Sequence, residues 1–190
     1  MRDAALGCPS SVFSWQITPV EALLAYLQND FKGMMEREHL APHKRTVINT
    51  VYLTEHHHEF DVDTTEETLS TQFLDARKRH DAMCFRTKRM MTDDEPTLFV
   101  LAKSKASADQ QAEIESRLRH FNPAKDFRVL TLETPDVEGD WRGSDESWNA
   151  AFSDVTFDRN LKPAEKAWAV YVNAKCQVVR FAEHVKKGRF

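Results

Sequence analysis

Apolar positions recur at helical spacing directly after a Phe13-Ser-Trp15 stretch, where Val20, Leu23, Leu24, Leu27 and Phe31 form one stripe. Thr18-Pro-Val-Glu21 precedes the stripe with an N-cap hydroxyl, a proline at the first helical position and a capping-box glutamate, and Gly33 supplies a stop. The pattern predicts an amphipathic helix packed against the body of the protein. The period then changes. Thr46 to Leu53 is rich in β-branched residues and free of proline and glycine, which predicts a strand that delivers the chain to Glu55-His-His-His-Glu-Phe60. Thr64-Thr-Glu-Glu67 is a second capping box, and Leu69, Phe73 and Ala76 carry the helical period into a long helix with a basic C-terminal half, ending before Asp93-Asp-Glu-Pro96.

Thr97 to Ala102 has the uninterrupted apolar character of a buried strand, Ser107 opens a helix bearing Ile114, Leu118 and Phe121, and Phe127 to Leu132 is a further strand. A β-α-β unit of this kind makes a right-handed crossover between parallel strands. The expected fold class is therefore α/β, with residues 1–190 as a single domain and a short, mostly parallel sheet flanked by helices. Thr134 to Asn160 is expected to be irregular, with Pro135, Gly139 and Gly143 marking turns and Trp141, Trp148 and Phe152 pinning the loop down. Residues 168–172 and 177–181 could form two strands around Asn173-Ala-Lys175, with a strand preferred for the first, although Pro163-Ala-Glu-Lys166 would equally open a helix.

A length of 190 residues is that of one core. With 26 Lys and Arg against 30 Asp and Glu, the net charge of -4 gives no broad electrostatic reason for binding nucleic acid or an anionic membrane. No segment approaches the roughly 18 uninterrupted apolar residues of a membrane helix. Cys8, Cys84 and Cys176 are odd in number and scattered, which argues against a disulfide framework or a cysteine zinc site and makes the cytoplasm the simplest compartment. The basic run Arg77-Lys-Arg79, with Arg86, Lys88 and Arg89, suits a solvated helix face and the C-terminal end of a helix dipole. No aromatic residues are interleaved with it as in a nucleic-acid platform.

Two side-chain types, histidine and cysteine, carry candidate chemistry. In an extended segment His56 and His58 share one face and His57 the other. The histidines can then be solvent-facing, act as acid or base near neutrality, or ligate zinc through His56 and His58 with Glu55 or Glu59. Cys8, between Gly7 and Pro9, is either an incidental cysteine in a terminal turn or a nucleophile activated by a nearby imidazole. Cys84 and Cys176 are expected to pack as small hydrophobes.

Phe13-Ser-Trp15, Thr18-Pro19 and the helix ending Asn29-Asp-Phe31 resemble the Pro-Phe-Asp-Trp segment and following helix of a bacterial family catalogued as papain-like cysteine peptidases. His57-His58-Glu59-Phe60 is similar to that family's histidine-acid-aromatic segment, and Phe99-Val100 with its β-α-β continuation is similar to its later strand, so the likeness runs from about residue 5 to residue 157. Val12 and Ser14 depart from the family's proline and aspartate, and Cys8 stands nearer to Trp15 than the family's cysteine does. The resemblance implies Cys8 as the thiolate that attacks the carbonyl of a peptide or other acyl substrate, His57 or His58 as the proton carrier, Asp61 or Asn173 as an orienting group, and no cofactor. It also leaves open an inactive homologue whose first strand and nucleophile lie outside this chain. The other readings are a non-enzymatic peptide- or glycan-binding domain and a zinc hydrolase built on His56 and His58.

Overall fold

The computed structural model describes residues 11–102, 106–132 and 144–154. Residues 11–132 belong to one compact unit and residues 144–154 to another. The predicted first helix is α1, Val20–Gln28. Leu24, Leu27 and Phe31 of its stripe are buried and Val20 and Leu23 pack at the edge of the same core. Both ends differ from expectation. Pro19 takes the N-cap position with no side-chain bond, and the Thr18 hydroxyl is buried without a partner. The helix stops before Gly33, because the Asn29 N–H closes it on Ala25 O at 2.9 Å and Asp30 and Phe31 turn left-handed at φ 55° and 66°. Gly33, at φ 84°, is still required: a Cβ there would lie 2.9 Å from the Tyr52 ring.

A three-stranded antiparallel meander follows, β1 (Leu40–His43), β2 (Thr46–Asn49) and β3 (Glu55–His56), in that order across the sheet. The strand expected to run to Leu53 ends at Asn49. Asn49 is fully buried, and its Oδ1 accepts the Val51 and Tyr52 N–H groups at 3.0 Å each, folding the chain into a turn that Leu53 closes at φ 58°. Its Nδ2 donates to Gly33 O and Met34 O, tying that turn to the end of α1. The β-branched richness of residues 46–53 therefore spans a strand and a reversal.

Helix α2 (Glu66–Thr92) is the long helix of the sequence pattern and ends where expected. Its capping box lies one residue later, between Thr65 and Thr68, while the buried Thr64 donates to Asp61 O at 2.6 Å. The face it buries carries Leu69, Ala76, His80, Met83, Thr87 and Met91. Thr87 Oγ1 accepts the Val12 N–H at 2.8 Å, so the 3₁₀ turn Val12–Trp15 is anchored on this helix.

The β-α-β unit has the predicted bounds. β4 (Thr97–Ala102) and β5 (Phe127–Leu132) pair in parallel, from Thr97 opposite Phe127 to Ala102 opposite Leu132. They are joined by α3 (Ala108–Phe121), whose Ser107–Gln110 capping box and buried Ile114 and Leu118 match the sequence signals. Lys125 is buried but satisfied, donating to Asp93 Oδ1, Asp93 O and Glu95 O. One core joins α1, α2, α3 and β5, and a second (Met35, Leu40, Val47, Phe60, Leu69, Ala76) joins the meander to the first half of α2.

The protein is thus mixed α/β, and among the described residues the antiparallel meander has more strands than the parallel pair. The region expected to be irregular contains a helix, α4 (Asp145–Ala151), capped by the Ser144 hydroxyl. Trp148 and Phe152, one turn apart, stack at 5.6 Å; that spacing is helical, and the nearby glycines mask it in the sequence. Residues 168–172 and 177–181 lie outside the described residues. No helix among the described residues is long and apolar enough to cross a membrane.

Candidate functional site

The histidine run is divided between interior and surface by the end of a strand. β3 stops at His56 and the chain turns, so the alternation that would pair His56 with His58 ends there. His56 is buried, His57 and His58 are exposed, and Glu59 and Phe60 return to the interior, Phe60 filling the second core. The expected shared face of His56 and His58 is not formed, and the geometry of a zinc pair is lost with it. Among the described residues no three His, Cys, Asp or Glu side chains are arranged to hold a metal ion.

Inside, His56 Nδ1 lies 3.7 Å from Glu59 Oε1, with both side chains essentially without solvent contact. His80, 1% exposed, comes from the buried face of α2 and sets its ring across that of His56 at 6.2 Å. Arg79, beside it in sequence, donates to Glu59 O at 2.7 Å and holds the turn against the helix. Four polar atoms of this cluster have no hydrogen-bond partner: both ring nitrogens of His56, Glu59 Oε1 and His80 Nε2.

Burial pushes the Glu59 carboxyl up, but His56, by its polar contact and its charge, and His80 more weakly, outweigh it and hold Glu59 below the usual carboxylate range. At 3.7 Å the His56 contact is too long for a hydrogen bond, so its pull is chiefly that of charge. His80 is pushed down to about 4 by burial and then by His56. It is a neutral imidazole at physiological pH.

His80 Nδ1 faces Cys84 Sγ at 3.5 Å. Cys84 is half-buried, one side against the main core and the other lining a shallow surface groove of about 320 Å³ with Phe31, Arg77, Asp81 and Lys88. Burial, with Asp81 and Asp30, pushes its thiol up to about 12 against the pull of Lys88 and Arg77. The pair is a neutral thiol and a neutral imidazole, the opposite of an activated cysteine. Cys84 is expected in the core from its residue type, whereas His80 has no local signal beyond its spacing of four from Cys84 on one helix.

At the surface, His57 Nε2 donates to Glu55 Oε2 at 2.8 Å, with the two side chains 40% and 33% exposed. Glu55 is therefore the carboxylate beside an imidazole. Asp61, the expected orienting candidate, is engaged instead with Gln72, accepting its Nε2 at 3.0 Å and donating its own N–H to Gln72 Oε1. The His58 N–H points to Glu59 Oε2 at 3.4 Å. Cys8 and Asn173 lie outside the described residues.

Several of the basic residues are used within the fold. Arg77 pairs with Asp81 and Glu36 and donates to Met35 O, Arg79 clamps Glu59, and Lys88 pairs with Asp30 at 2.7 Å while resting over the Phe31 ring. These contacts agree with a structural role for the run.

Fold and site together define a mixed α/β protein with a buried His–Glu–His cluster under an exposed Glu55–His57 pair. Comparison with known proteins finds no matching family model, no matching curated protein and no matching solved structure.

Proposed function

We propose that this chain is a papain-like cysteine hydrolase homologue, cytoplasmic, acting on a peptide or other acyl substrate through Cys8 and the exposed histidines. The observation that carries the reading is one backbone bridge. Ile17 and Glu55 pair antiparallel, so the segment leaving Phe13-Ser-Trp15 lies beside the segment that carries the histidines. The two motifs behind the family resemblance are thereby neighbours in space. The Glu55–His57 contact adds the second element of such a site, an imidazole oriented by a carboxylate.

In this mechanism His57 Nε2–H stays on Glu55 and Nδ1 takes the Cys8 thiol proton. The thiolate sulfur bonds to the substrate carbonyl carbon, and collapse of the adduct expels the leaving group, which carries the proton returned by His57. Water then cleaves the thioester with His57 again as base, releasing acid and free thiol. His58 is the alternative base. In the finer architecture of this reading, residues 1–190 form one domain and β4–β5 seeds a short, mostly parallel sheet.

The test is hydrolysis of activated esters and a mixed peptide library by the wild type, Cys8→Ala, His57→Gln and Glu55→Gln. The reading expects turnover that Cys8→Ala abolishes and His57→Gln lowers by at least about a hundredfold, the usual worth of a general base. Turnover that survives Cys8→Ala, or no turnover of any member of the panel, overturns it.

A further inference from the structure

The buried cluster joins two elements: His56 and Glu59 belong to the meander and its turn, and His80 to α2. Its charge balance is asymmetric. One carboxylate, Glu59, faces two imidazoles, and His56 stands nearest to it at 3.7 Å. A proton on His80 would sit without solvent and with no strong hydrogen-bond acceptor beside it, a costly state. His80 also has poor bonding for a cation. Nδ1 faces only the Cys84 thiol, a weak acceptor, and Nε2 has no partner.

The other charged groups around His80 do not supply the missing acceptor. Arg77 on the same helix opposes a proton, and Asp81 favours one but is bonded to Arg77. Across the groove, Glu36 is also paired with Arg77 and Asp30 with Lys88, while Lys32 adds a further cation. On the Glu59 side, Arg79 is spent on the Glu59 carbonyl.

We propose that His56, Glu59 and His80 form an acid-sensitive latch: proton uptake by the cluster releases residues 55–60, with His57 and His58, from helix α2 while the rest of the fold stays closed. Release lets water reach His80 and accommodates its charge. The meander side yields first because its ties to α2 around this point are the Arg79–Glu59 bond, the exposed Asp61–Gln72 pair and the Phe60 contact, whereas β4, β5 and α3 share a separate apolar core. The latch holds whether or not the hydrolase reading does, since it concerns the fold alone.

The experiment is amide hydrogen exchange on the full chain from pH 7 to about pH 5, corrected for intrinsic rates and followed by peptide, in the wild type and in His80→Gln. The latch predicts that exchange at residues 55–60 rises by at least about tenfold, the effect of one pKa unit, while residues 108–132 stay protected. His80→Gln should abolish the rise. Should that variant fail to fold, the wild-type comparison decides alone: equal protection of residues 55–60 at both pH values, or simultaneous opening of residues 108–132, overturns the proposal.

Discussion

Ile17 and Glu55 exchange both backbone hydrogen bonds, Ile17 N–H to Glu55 O and Glu55 N–H to Ile17 O, each at 3.0 Å. This bridge sits on the open side of β3 and fixes the chain between the Val12–Trp15 turn and α1 against the histidine segment. The Ile17 side chain is 60% exposed, so its importance lies in the backbone. Ile17→Pro, which removes one donor, is expected to cost about 1–3 kcal/mol in urea unfolding. Ile17→Ala should stay within about 0.5 kcal/mol of the wild type.

Asn49 is the second point at which one side chain organises distant segments. Its amide makes four hydrogen bonds, to Gly33 O, Met34 O, Val51 N–H and Tyr52 N–H, with no solvent contact. Asn49→Ala leaves these groups without their partner and should destabilise by about 2–4 kcal/mol, read as a lower urea midpoint. Asn49→Asp should cost more, because a carboxylate would face two carbonyl oxygens it cannot bond.

Stability should fall with acid in a defined window. His80 titrates near 4 when folded, below its ordinary value, so between about pH 6.5 and pH 4 the unfolded chain binds a proton that the folded chain refuses. Unfolding free energy therefore declines through that window by about 3 kcal/mol as pH falls. Glu59 is held low when folded, so its contribution is present above the ordinary carboxylate range and is lost as pH falls through the lower folded value. Urea midpoints measured from pH 7 to pH 4 should show the decline, and His80→Gln should flatten its upper part.

Cys84 should be nearly inert in the folded protein. Its thiol is pushed up to about 12, so iodoacetamide near pH 8 should leave it unmodified in buffer and label it fully in urea. Labelling at equal rates in both conditions would mean that the contact with His80 and the burial around it are absent in solution.

What the sequence carries is uneven in a physically intelligible way. The β4–α3–β5 unit is legible because each signal is local: Ser107 and Gln110 cap within one turn, and Ile114 and Leu118 repeat at the helical period. The stripe of α1 and the long α2 are legible for the same reason. The meander is not, since its turn depends on Asn49 reaching Gly33 and Met34 from elsewhere in the chain. Nor does local periodicity reveal that β3 ends at His56, which sends His56 inward and leaves His57 and His58 outside. His80 and Glu59 meet only through tertiary packing, and the Glu55–His57 contact follows from a turn whose geometry no pattern announces.

The pH dependence of alkylation at Cys8, resolved by peptide mass in the folded 190-residue chain, tests the proposed chemistry most directly. The account predicts a reactive thiol with a pKa in the roughly 3.5–7.5 range of activated cysteines, moving toward the ordinary value in His57→Gln. A Cys8 that titrates near the ordinary value of about 8.5 in the wild type and does not respond to His57→Gln would contradict it.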